Sequence, residues 1–446
     1  MSGRVVLGAR GRLALGAGWA AGKASRAAGR GAGATVPGRV ALRLDPFLLG
    51  RLAAGRQVTV VSATNGKTTT TRLVAAALGA GGGQVLSNTD GSNLERGVVA
   101  ALMTDSRRRI PQAALEVDEL ALGAVVARTG ADLLILGNLS RDQLDRMTEC
   151  RVIVGRWQEM FAARAERVRS GRLPPVRVIA NADDPLVTAA VTGAWSAGPD
   201  APVRVTWAAV GQPWTGDSAA CPRCAQPWVF VAASYRCDHC GFARPDPDWE
   251  LDGGEVRGPG GLRLTLGLGL PGRSNRANAV LALAAATVRG VAPQVSLEAM
   301  RSVTSVSGRY AVVDRAGGPL RMLLAKNPAG WQEMLAQHAE SQAGDGPMSG
   351  QRPIVLALNA READGRDTSW IWDVPFEGLA GMRVVVSGER AEDLALRLRY
   401  AEIAFTVVRD PLEAVEQARG GSGELVDLLA TYTAFTAVHQ LVGLPA

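Results

Sequence analysis

One lysine lies where a phosphate chain could bind. Residues 58–78 read VTVVSATNGKTTTTRLVAAAL, with four β-prone residues, a tight turn, and an alanine-rich helix that opens with Lys67. Backbone N–H groups at such a turn point at one spot, and the helix dipole adds partial positive charge there. We expect Lys67 to reach the β- and γ-phosphates of a nucleotide and the hydroxyl of Thr68 to bind Mg²⁺.

The rest of this loop departs from the general P-loop pattern. The first glycine of GxxxxGK[ST] would fall at Val61, so a chance turn is the alternative interpretation. The loop nevertheless lies between a predicted strand and a predicted helix, as the motif requires. We therefore assign these residues to a nucleotide site: Thr64, Asn65, Gly66, Lys67, Thr68 and Thr69.

Four cysteines have the spacing of a closed metal site. They form the pattern C-x2-C-x12-C-x2-C, which is typical of four thiolates around one tetrahedral zinc ion: Cys221, Cys224, Cys237 and Cys240. Four filled positions leave none for a substrate water, so the zinc would hold together an insertion at about residues 207–250. His239 is the alternative ligand to one of the cysteines. Cys150 is left over as an ordinary thiol.

An acidic stretch follows the second predicted buried strand. Residues 113–120 read AALEVDEL, and a strand that ends at Glu116 would place this carboxylate at the carboxyl edge of the sheet, where Mg²⁺ needs oxygen ligands. Asp118 and Glu119 come next. For these two acids in particular, a solvated acidic loop is the alternative interpretation.

Apolar runs alternate with helical sequence around these residues. The runs at 58–62, 113–117, 133–136 and 176–179 are typical of buried parallel strands, which predicts a doubly wound α/β sheet. A helix is expected at 277–289. A second α/β unit begins near residue 310, with strands at 354–358 and 383–386 and a last segment at 425–434. The predicted domains are an N-terminal segment and linker at 1–39, a central domain at 40–307 and a C-terminal domain at 308–446.

Composition limits the function classes. The 446 residues carry a net charge of +7, which permits nucleic-acid binding, but the stretch between the cysteine pairs offers only Arg223 and Arg236, opposed by Asp238. We expect no nucleic-acid partner. No apolar run approaches the roughly 18 residues of a membrane span, and arginines interrupt the N-terminal apolar stretches. Paired cysteines suit a reducing compartment in which thiolates bind metal, so these features together predict a cytoplasmic protein. The basic N-terminus adds the hypothesis of peripheral membrane contact.

Seven stretches resemble the Mur ligase family and follow in the order of that family. They are ATNGKTTT (63–70), LEVDE (115–119), NLSRDQLD (138–145), NADDP (181–185), PGRSNRANAVLA (271–282), SGRY (307–310) and KNPAG (326–330). The resemblance covers about residues 40–446 and implies ATP-dependent amide formation through an acyl phosphate, with a central ATP-binding domain. The shorter loop of that family has its glycine at position 63, where this chain has Ala63.

The resemblance also implies roles for residues outside the loop. Asn275 and Asn278 would lie near the adenine, although helix capping is an alternative for both. Asp183 and Asp184 would belong to a nucleotide-side loop, and Arg309 would lie at the entry to the last domain. Glu116 would take a second metal position.

Three departures narrow the resemblance to one branch of the family. The chain has no room for a domain that binds a UDP-sugar, the segment 145–161 lacks the lysine that many relatives carbamylate, and the cysteine insertion interrupts the central domain. Residues 358–377, LNAREADGRDTSWIWDVPFE, resemble the C-terminal signature of the branch that amidates lipid II together with GatD, a glutaminase-like subunit. By that resemblance, ATP would activate the α-carboxyl of D-glutamate in the lipid II stem peptide, and ammonia would convert it to D-isoglutamine.

The expected partner follows from what this chain lacks. Its three histidines, His239, His338 and His439, form no Cys–His constellation, so a separate GatD-like subunit would have to release ammonia from glutamine. The resemblance implies that a C-terminal aspartate completes the partner's Cys–His pair, with Asp373 first and Asp367 and Asp364 as alternatives. Two other functions stay open. One is a different Mur-type or folylpolyglutamate-type ligase, and the other is a zinc-ribbon P-loop protein that binds nucleic acid.

Overall fold

The chain forms two compact units. The computed structural model describes residues 7–27, 35–88, 92–107, 109–142, 150–193, 201–211, 216–231, 234–305, 310–315, 317–343, 352–421 and 423–443. The first unit comprises Met1–Leu139, Cys150–Leu270 and Ser274–Thr304. The second comprises Ser140–Glu149, Pro271–Arg273 and Ser305–Ala446.

The elements before residue 305 alternate between helix and strand. In chain order they are α1 (Ala9–Ala27), α2 (Val36–Leu44), α3 (Leu48–Ala53), β1 (Gln57–Ser62), α4 (Lys67–Gly79), β2 (Val85–Ser87), α5 (Glu95–Thr104), β3 (Gln112–Glu116), α6 (Leu122–Thr129), β4 (Leu133–Leu136), α7 (Cys150–Arg169), β5 (Val176–Asn181), α8 (Pro185–Thr192), β6 (Val203–Ala209), β7 (Val229–Val231), β8 (Ser234–Arg236), β9 (Trp249–Asp252), β10 (Glu255–Gly258), β11 (Leu262–Thr265), α9 (Arg273–Val288) and α10 (Pro293–Arg301).

The first unit is built on a mixed sheet of nine strands. Their order is β11-β10-β9-β6-β5-β4-β1-β3-β2, and all neighbours from β2 to β9 are parallel, whereas β9, β10 and β11 pair antiparallel. Strand β1 lies between β3 and β4, so the chain order of the strands reverses there. In open α/β sheets, ligands bind at the carboxyl ends of the strands at such a reversal.

The sequence predicted four central strands of this sheet and missed β2, β6 and the antiparallel edge. Strands β1, β3, β4 and β5 lie at the apolar runs identified above, and a mixed α/β fold is confirmed. The run of apolar residues in β4 is buried throughout, as expected for a central parallel strand covered on both faces. Strand β10 buries only Val256, and β11 alternates half-buried and exposed residues, so their sequence has no apolar run that would distinguish them from loops.

The N-terminal sequence forms a helix on the first unit. Helix α1 packs against α2, and Gly18 faces that contact. A Cβ atom at Gly18 would lie 2.8 Å from the carbonyl oxygen of Pro37, so only glycine allows this approach. Among the described residues, no helix is both long enough and apolar enough to cross a membrane.

The second unit has its own sheet of six strands. Its elements are β12 (Tyr310–Val313), β13 (Leu320–Leu324), α11 (Pro328–Ala343), β14 (Ile354–Ala357), two 3₁₀ turns (Ser369–Asp373 and Phe376–Leu379), β15 (Val384–Ser387), α12 (Ala391–Tyr400), β16 (Phe405–Val407), α13 (Pro411–Arg419), β17 (Val426–Ala430) and α14 (Tyr432–Leu441). The strand order is β12-β13-β17-β14-β15-β16, and only β12 runs antiparallel.

Alternate residues of this sheet enter two separate cores. Ile354 and Leu356 of β14 pack with Trp331 of α11 and with residues of α12 on one face. Val355 of the same strand packs on the other face with Phe435 of α14. Because neighbouring strand residues point to opposite faces, both faces of the sheet are covered.

A buried charge cluster joins β13, β17 and α11. The carboxylate of Asp427 accepts hydrogen bonds from Arg321 Nε at 2.8 Å and from Arg321 Nη2, and lies 2.5 Å from His338 Nδ1. All three side chains are at most 1% exposed. Burial by itself raises the pKa of Asp427, but His338 and Arg321 outweigh burial and hold this pKa below its ordinary value.

We expect Asp427→Asn to lower the free energy of unfolding of the second unit by about 3–5 kcal/mol, because Arg321 would keep a buried charge without its counter-ion. The exposed Glu413→Gln, on α13, is the matched control. Since the native pKa of Asp427 is depressed, its stabilisation is present above about pH 4 and is lost as the pH falls through the native pKa. Chemical denaturation between about pH 3 and 7 measures both effects, and equal stabilities of the two variants would contradict the assignment.

Candidate nucleotide and zinc sites

The phosphate loop begins at the carboxyl end of β1. Gly66 has a φ of 80°, a left-handed conformation that favours glycine, and directly precedes α4. A Cβ atom at Gly66 would lie 2.7 Å from Asn278 Oδ1, so the side chain of Asn278 packs against the loop. The loop therefore turns tightly into the N-terminus of α4, where an anion is favoured.

Asn138, in the turn that follows β4, holds the loop in place. Asn138 accepts a hydrogen bond from the backbone N–H of Asn65 at 2.9 Å and donates one to the carbonyl of Asn65 at 2.9 Å. Its own carbonyl accepts from the N–H of Thr64 at 2.8 Å. Sequence reasoning did not identify this role of Asn138, although the resemblance includes its segment.

The methyl group of Ala63 fits because its neighbour is a glycine. A Cβ atom at Gly137 would lie 3.0 Å from the Cβ of Ala63, so the absence of a side chain at 137 leaves room for alanine at 63. Ala225 and Glu402 are the described non-glycine residues with positive φ, so Ala63 needs no left-handed backbone. Alanine at this position is compatible with the loop.

The ammonium group of Lys67 is buried and paired. Lys67 Nζ donates to the carbonyl oxygens of Ala63 and Thr64, the latter at 3.1 Å, and lies 2.9 Å from Glu119 Oε2. Glu119 is only 1% exposed, and its backbone carbonyl accepts from Trp157 Nε1 at 2.9 Å. The interpretation of Glu119 as part of a solvated loop is therefore wrong, because its carboxylate neutralises a buried lysine.

Glu116 ends β3 beside this loop. It pairs in register with Val61 of β1, and its backbone is held on both sides by Asn88, at 2.7 Å and 2.8 Å. The side chain is buried. Thr68 and Thr69, in the first turn of α4, are also buried. A hydroxyl from the first turn of α4 and a carboxylate from the end of β3 are oxygen ligands that suit Mg²⁺, so Thr68 and Glu116 are the residues that would hold it.

The two aspartates of NADDP make structural contacts. Asp183 accepts from Arg244 Nε at 2.6 Å and from the backbone N–H groups of Val210 and Gly211 at 2.6 Å and 2.5 Å. Asp184 caps α8 through the N–H of Leu186 and Val187 and accepts from the N–H of Leu139 with its other oxygen. These contacts tie the end of β5 to the turns after β4 and β6.

The remaining assignments from the resemblance have less structural detail. Asn275 is half-buried in the first turn of α9, whereas Asn278 is buried one turn later. Arg309 lies outside the described residues, as do residues 143–149, which include Asp145. For these positions the sequence-based expectations stand as predictions.

The four cysteines come together in the first unit. Their Sγ atoms all lie within 4.8 Å of one another, with Cys221 and Cys240 3.6 Å apart and Cys224 and Cys237 3.5 Å apart. Tetrahedral zinc–thiolate bonds of about 2.3 Å place sulfur atoms at nearly this separation, so the cluster fits zinc. His239 is exposed and not part of the cluster. Led by the backbone N–H of Cys240, hydrogen bonds lower the pKa of Cys237 to about 7, whereas burial raises the pKa of Cys221, so Cys237 is the one of these two thiols that ionises more readily.

The cysteine segment is an insertion between β6 and β9. It carries the hairpin β7–β8 and a small aromatic group in which Trp228 packs on Tyr235 and Phe242. Tyr235 donates its hydroxyl to the carbonyl of Ala182 at 2.9 Å, and burial raises the pKa of this hydroxyl. The insertion is thus attached to the strand end that carries Asp183.

The C-terminal aspartates differ in what surrounds them. Asp364 is buried and accepts from the N–H and the hydroxyl of Thr433. Asp367 is half-buried and accepts from the N–H of Ser369. The side chain of Asp373 is 42% exposed and lies 3.1 Å from Arg141 of the same unit. Asp373 and Asp367 are therefore the accessible candidates.

An exposed aromatic pair lies next to Asp373. Trp370 is buried against Trp331, whereas Trp372 is 47% exposed and packs edge-on against Tyr400, which is 73% exposed. Leu396, one turn before Tyr400 on α12, is also exposed. Large exposed aromatic and aliphatic side chains in one place are typical of protein interfaces.

Comparison with known proteins finds relatives of this chain. The family model described as MurT ligase C-terminal matches residues 324–435. The subunit MurT of the glutamine-hydrolysing lipid II isoglutaminyl synthase of Staphylococcus aureus strain COL is 29% identical over 437 residues, which covers 94% of each chain. Over nearly its whole length, the chain is similar in sequence to proteins named as MurT subunits. The sequence similarity to the Staphylococcus aureus relative extends through both the first and the second unit.

Solved structures show the same fold at lower identity. A pseudomurein peptide ligase type C from Methanothermus fervidus matches 86% of this chain and 79% of its own, with a TM-score of 0.62 and 16% identity. A folylpolyglutamate synthase from Mycobacterium tuberculosis, solved with ADP and AMPPCP, matches 89% and 93%, with a TM-score of 0.58 and 15% identity. Both support a Mur ligase-like fold.

We expect Cys221→Ser to reduce bound zinc from about one ion per chain to nearly none and to lower the thermal stability of the insertion, because one of four thiolates is lost. His239→Ala is the matched control, since it alters the same segment without removing a cysteine. Elemental analysis of purified protein measures zinc content. Full zinc in the serine variant would contradict a four-thiolate site, and loss of zinc in the alanine variant would restore His239 as a ligand.

Proposed function

We propose that this chain is the ATP-dependent ligase subunit of a lipid II isoglutaminyl synthase. The observation that carries the proposal is the combination of a MurT-family sequence over nearly the whole chain with a P-loop whose lysine and threonines open α4. The substrate is the α-carboxyl group of D-glutamate in the stem peptide of lipid II, and the product is D-isoglutamine. The expected location is the cytoplasm, at the face of the membrane that carries the lipid substrate.

The proposed chemistry uses two transfers. The carboxylate oxygen attacks the γ-phosphorus of ATP, and ADP leaves, so that an acyl phosphate forms. Ammonia then attacks the carbonyl carbon, inorganic phosphate leaves with the carbon–oxygen bond electrons, and the nitrogen loses a proton to give the amide. Lys67 would neutralise charge that develops on the transferred phosphoryl group. Mg²⁺, held by Thr68 and Glu116, would supply further charge neutralisation.

Ammonia would come from a GatD-like glutaminase subunit. The described histidines support this division of labour, because His338 is buried against Asp427, His439 stacks on Phe435 and His239 is exposed beside the zinc cysteines. None of these arrangements is a Cys–His nucleophile pair. We propose that Asp373 orients the partner's catalytic histidine, and the exposed Trp372 and Tyr400 beside it support an interface there.

The two alternative functions have less support. A folylpolyglutamate-type ligase would share the fold and the P-loop, but it does not account for the MurT ligase C-terminal match. A nucleic-acid function needs free basic groups on the cysteine insertion. There, Arg236 pairs with Asp238 at 2.7 Å, and Arg223 packs over Phe242.

Reconstitution tests the proposal directly. The chain is produced together with a GatD-like glutaminase, the complex is purified, and amidation of lipid II is followed by mass spectrometry with ATP and glutamine. We expect a mass decrease of the stem peptide by about one unit that depends on both compounds. If no amidation occurs under conditions in which a known synthase is active, the proposed function is wrong.

Lys67→Ala should reduce amidation by at least about a hundredfold, because the phosphoryl group loses the positive charge of the loop lysine, while the two subunits still co-purify. Arg72→Ala removes a cation from the same helix and should retain most of the activity. Activity with glutamine and activity with ammonium chloride are both measured. A Lys67→Ala complex that amidates as fast as wild type would exclude Lys67 from the reaction.

Asp373→Asn should lower glutamine hydrolysis by about a thousandfold or more and leave amidation with free ammonia unchanged, because only the orientation of the partner's histidine is lost. Asp367→Asn, at the other accessible aspartate, is the matched control and should hydrolyse glutamine normally. Glutamate release and ammonia-dependent amidation separate the two steps. Loss of both activities would place Asp373 at the ATP site instead, and loss of hydrolysis in the Asp367 variant alone would transfer the role to that residue.

A further inference from the structure

A carboxylate that the proposed mechanism does not use lies against the lysine of the phosphate loop. Glu119 Oε2 is 2.9 Å from Lys67 Nζ, and both side chains are almost completely buried, at 1% and 6% exposed. The other oxygen, Oε1, is also buried and has no hydrogen-bond partner among the described residues. A half-satisfied buried carboxylate is costly unless a further positive group can reach it.

The position of Glu119 is fixed independently of Lys67. Trp157 of α7 donates its indole N–H to the backbone carbonyl of Glu119, and Trp157 is itself buried. The turn that contains Glu119 is held by the N–H of Leu120, which donates to Asp118 Oδ1 at 3.0 Å. The carboxylate is therefore held at the phosphate loop by the fold and is not a mobile surface group that meets the lysine by chance.

A nucleotide must compete with Glu119 for the lysine. An ammonium group has three protons, and Lys67 Nζ directs hydrogen bonds to two loop carbonyls and to Glu119. The two carbonyls belong to the loop that forms the phosphate site. When a phosphate oxygen takes the place of Glu119 Oε2, the loop stays intact, but Glu119 becomes a buried anion beside the negative charges of the nucleotide.

We propose that Glu119 makes nucleotide binding depend on a divalent cation. Without nucleotide, its carboxylate balances Lys67. With nucleotide, the released carboxylate faces the phosphates, and a cation that arrives with them compensates both sets of negative charge. Glu119 is thus a positioning residue that disfavours the binding of metal-free nucleotide. Thr68 and Glu116 remain the expected metal ligands. This inference rests on the proposed function, because it takes the loop to bind adenine nucleotide.

The test is the affinity of the full chain for ADP, measured by isothermal titration calorimetry with excess Mg²⁺ and with EDTA. Wild type should bind ADP much more weakly in EDTA. Glu119→Gln keeps the shape and removes the charge, so its affinity in EDTA should rise by about tenfold, as expected for removal of one charge-assisted competitor. Its affinity with Mg²⁺ should stay level or fall, so the ratio of the two affinities shrinks by about tenfold or more.

Asp118→Asn is the matched control. It removes a carboxylate from the same turn, and it should keep the wild-type ratio of affinities because Asp118 is not paired with Lys67 in the structure. Glu119→Asp keeps the charge and should also retain a strong dependence on Mg²⁺. If circular dichroism shows that the Gln variant is unfolded, Glu119→Ala replaces it, with the same expected shrinkage of the ratio.

Opposite outcomes separate the possible failures. If Glu119→Gln loses affinity for ADP equally with and without Mg²⁺, the residue is purely structural and the inference is overturned. If neither affinity changes, the inference is overturned as well. If the wild-type chain binds ADP under neither condition, the proposed function itself falls, whereas normal ADP binding with an unchanged ratio removes only the role of Glu119.

Discussion

A positive charge enclosed by backbone is the constraint on which the phosphate loop depends. The ammonium group of Lys67 is almost completely buried, and a buried cation is stable only when it is paired and hydrogen-bonded. The loop carbonyls of Ala63 and Thr64 supply part of this compensation, and Glu119 supplies the counter-charge. The same groups that stabilise the lysine also keep it directed into the turn where phosphates are expected.

Amide side chains hold this region so that its acids and hydroxyls stay available for ligands. Asn138 binds the backbone of Asn65, Asn88 binds the backbone of Glu116, and Asn278 packs on Gly66. An uncharged amide both donates and accepts, so it can satisfy a backbone N–H and a carbonyl together. Because amide side chains fix the backbone, the carboxylate of Glu116 and the hydroxyl of Thr68 are not needed to hold it.

The features that the sequence predicted well depend on neighbours along the chain. The glycine and lysine of the loop, the strand before Glu116 and the two cysteine pairs are each encoded within a few residues, so their chemistry follows from spacing. Contacts between distant segments were not accessible in this way. The burial of Glu119 depends on Trp157, and the contacts of Asp183 depend on how the cysteine insertion folds back onto β5. Asp364 reads as a polar loop residue but is enclosed by α14.

The second unit is not a continuous stretch of chain, and this limits how it can be separated from the first. It includes Ser140–Glu149 and Pro271–Arg273 in addition to the residues from Ser305 onward. Within it, Asp142 lies 2.6 Å from Lys326 Nζ, and Arg141 pairs with Asp373. A fragment that starts at residue 305 would lack both partners. Recombination between relatives at this single boundary would therefore combine a C-terminal sheet with foreign residues at 141 and 142, and the ion pairs of Asp373 and Lys326 would survive only if those residues matched.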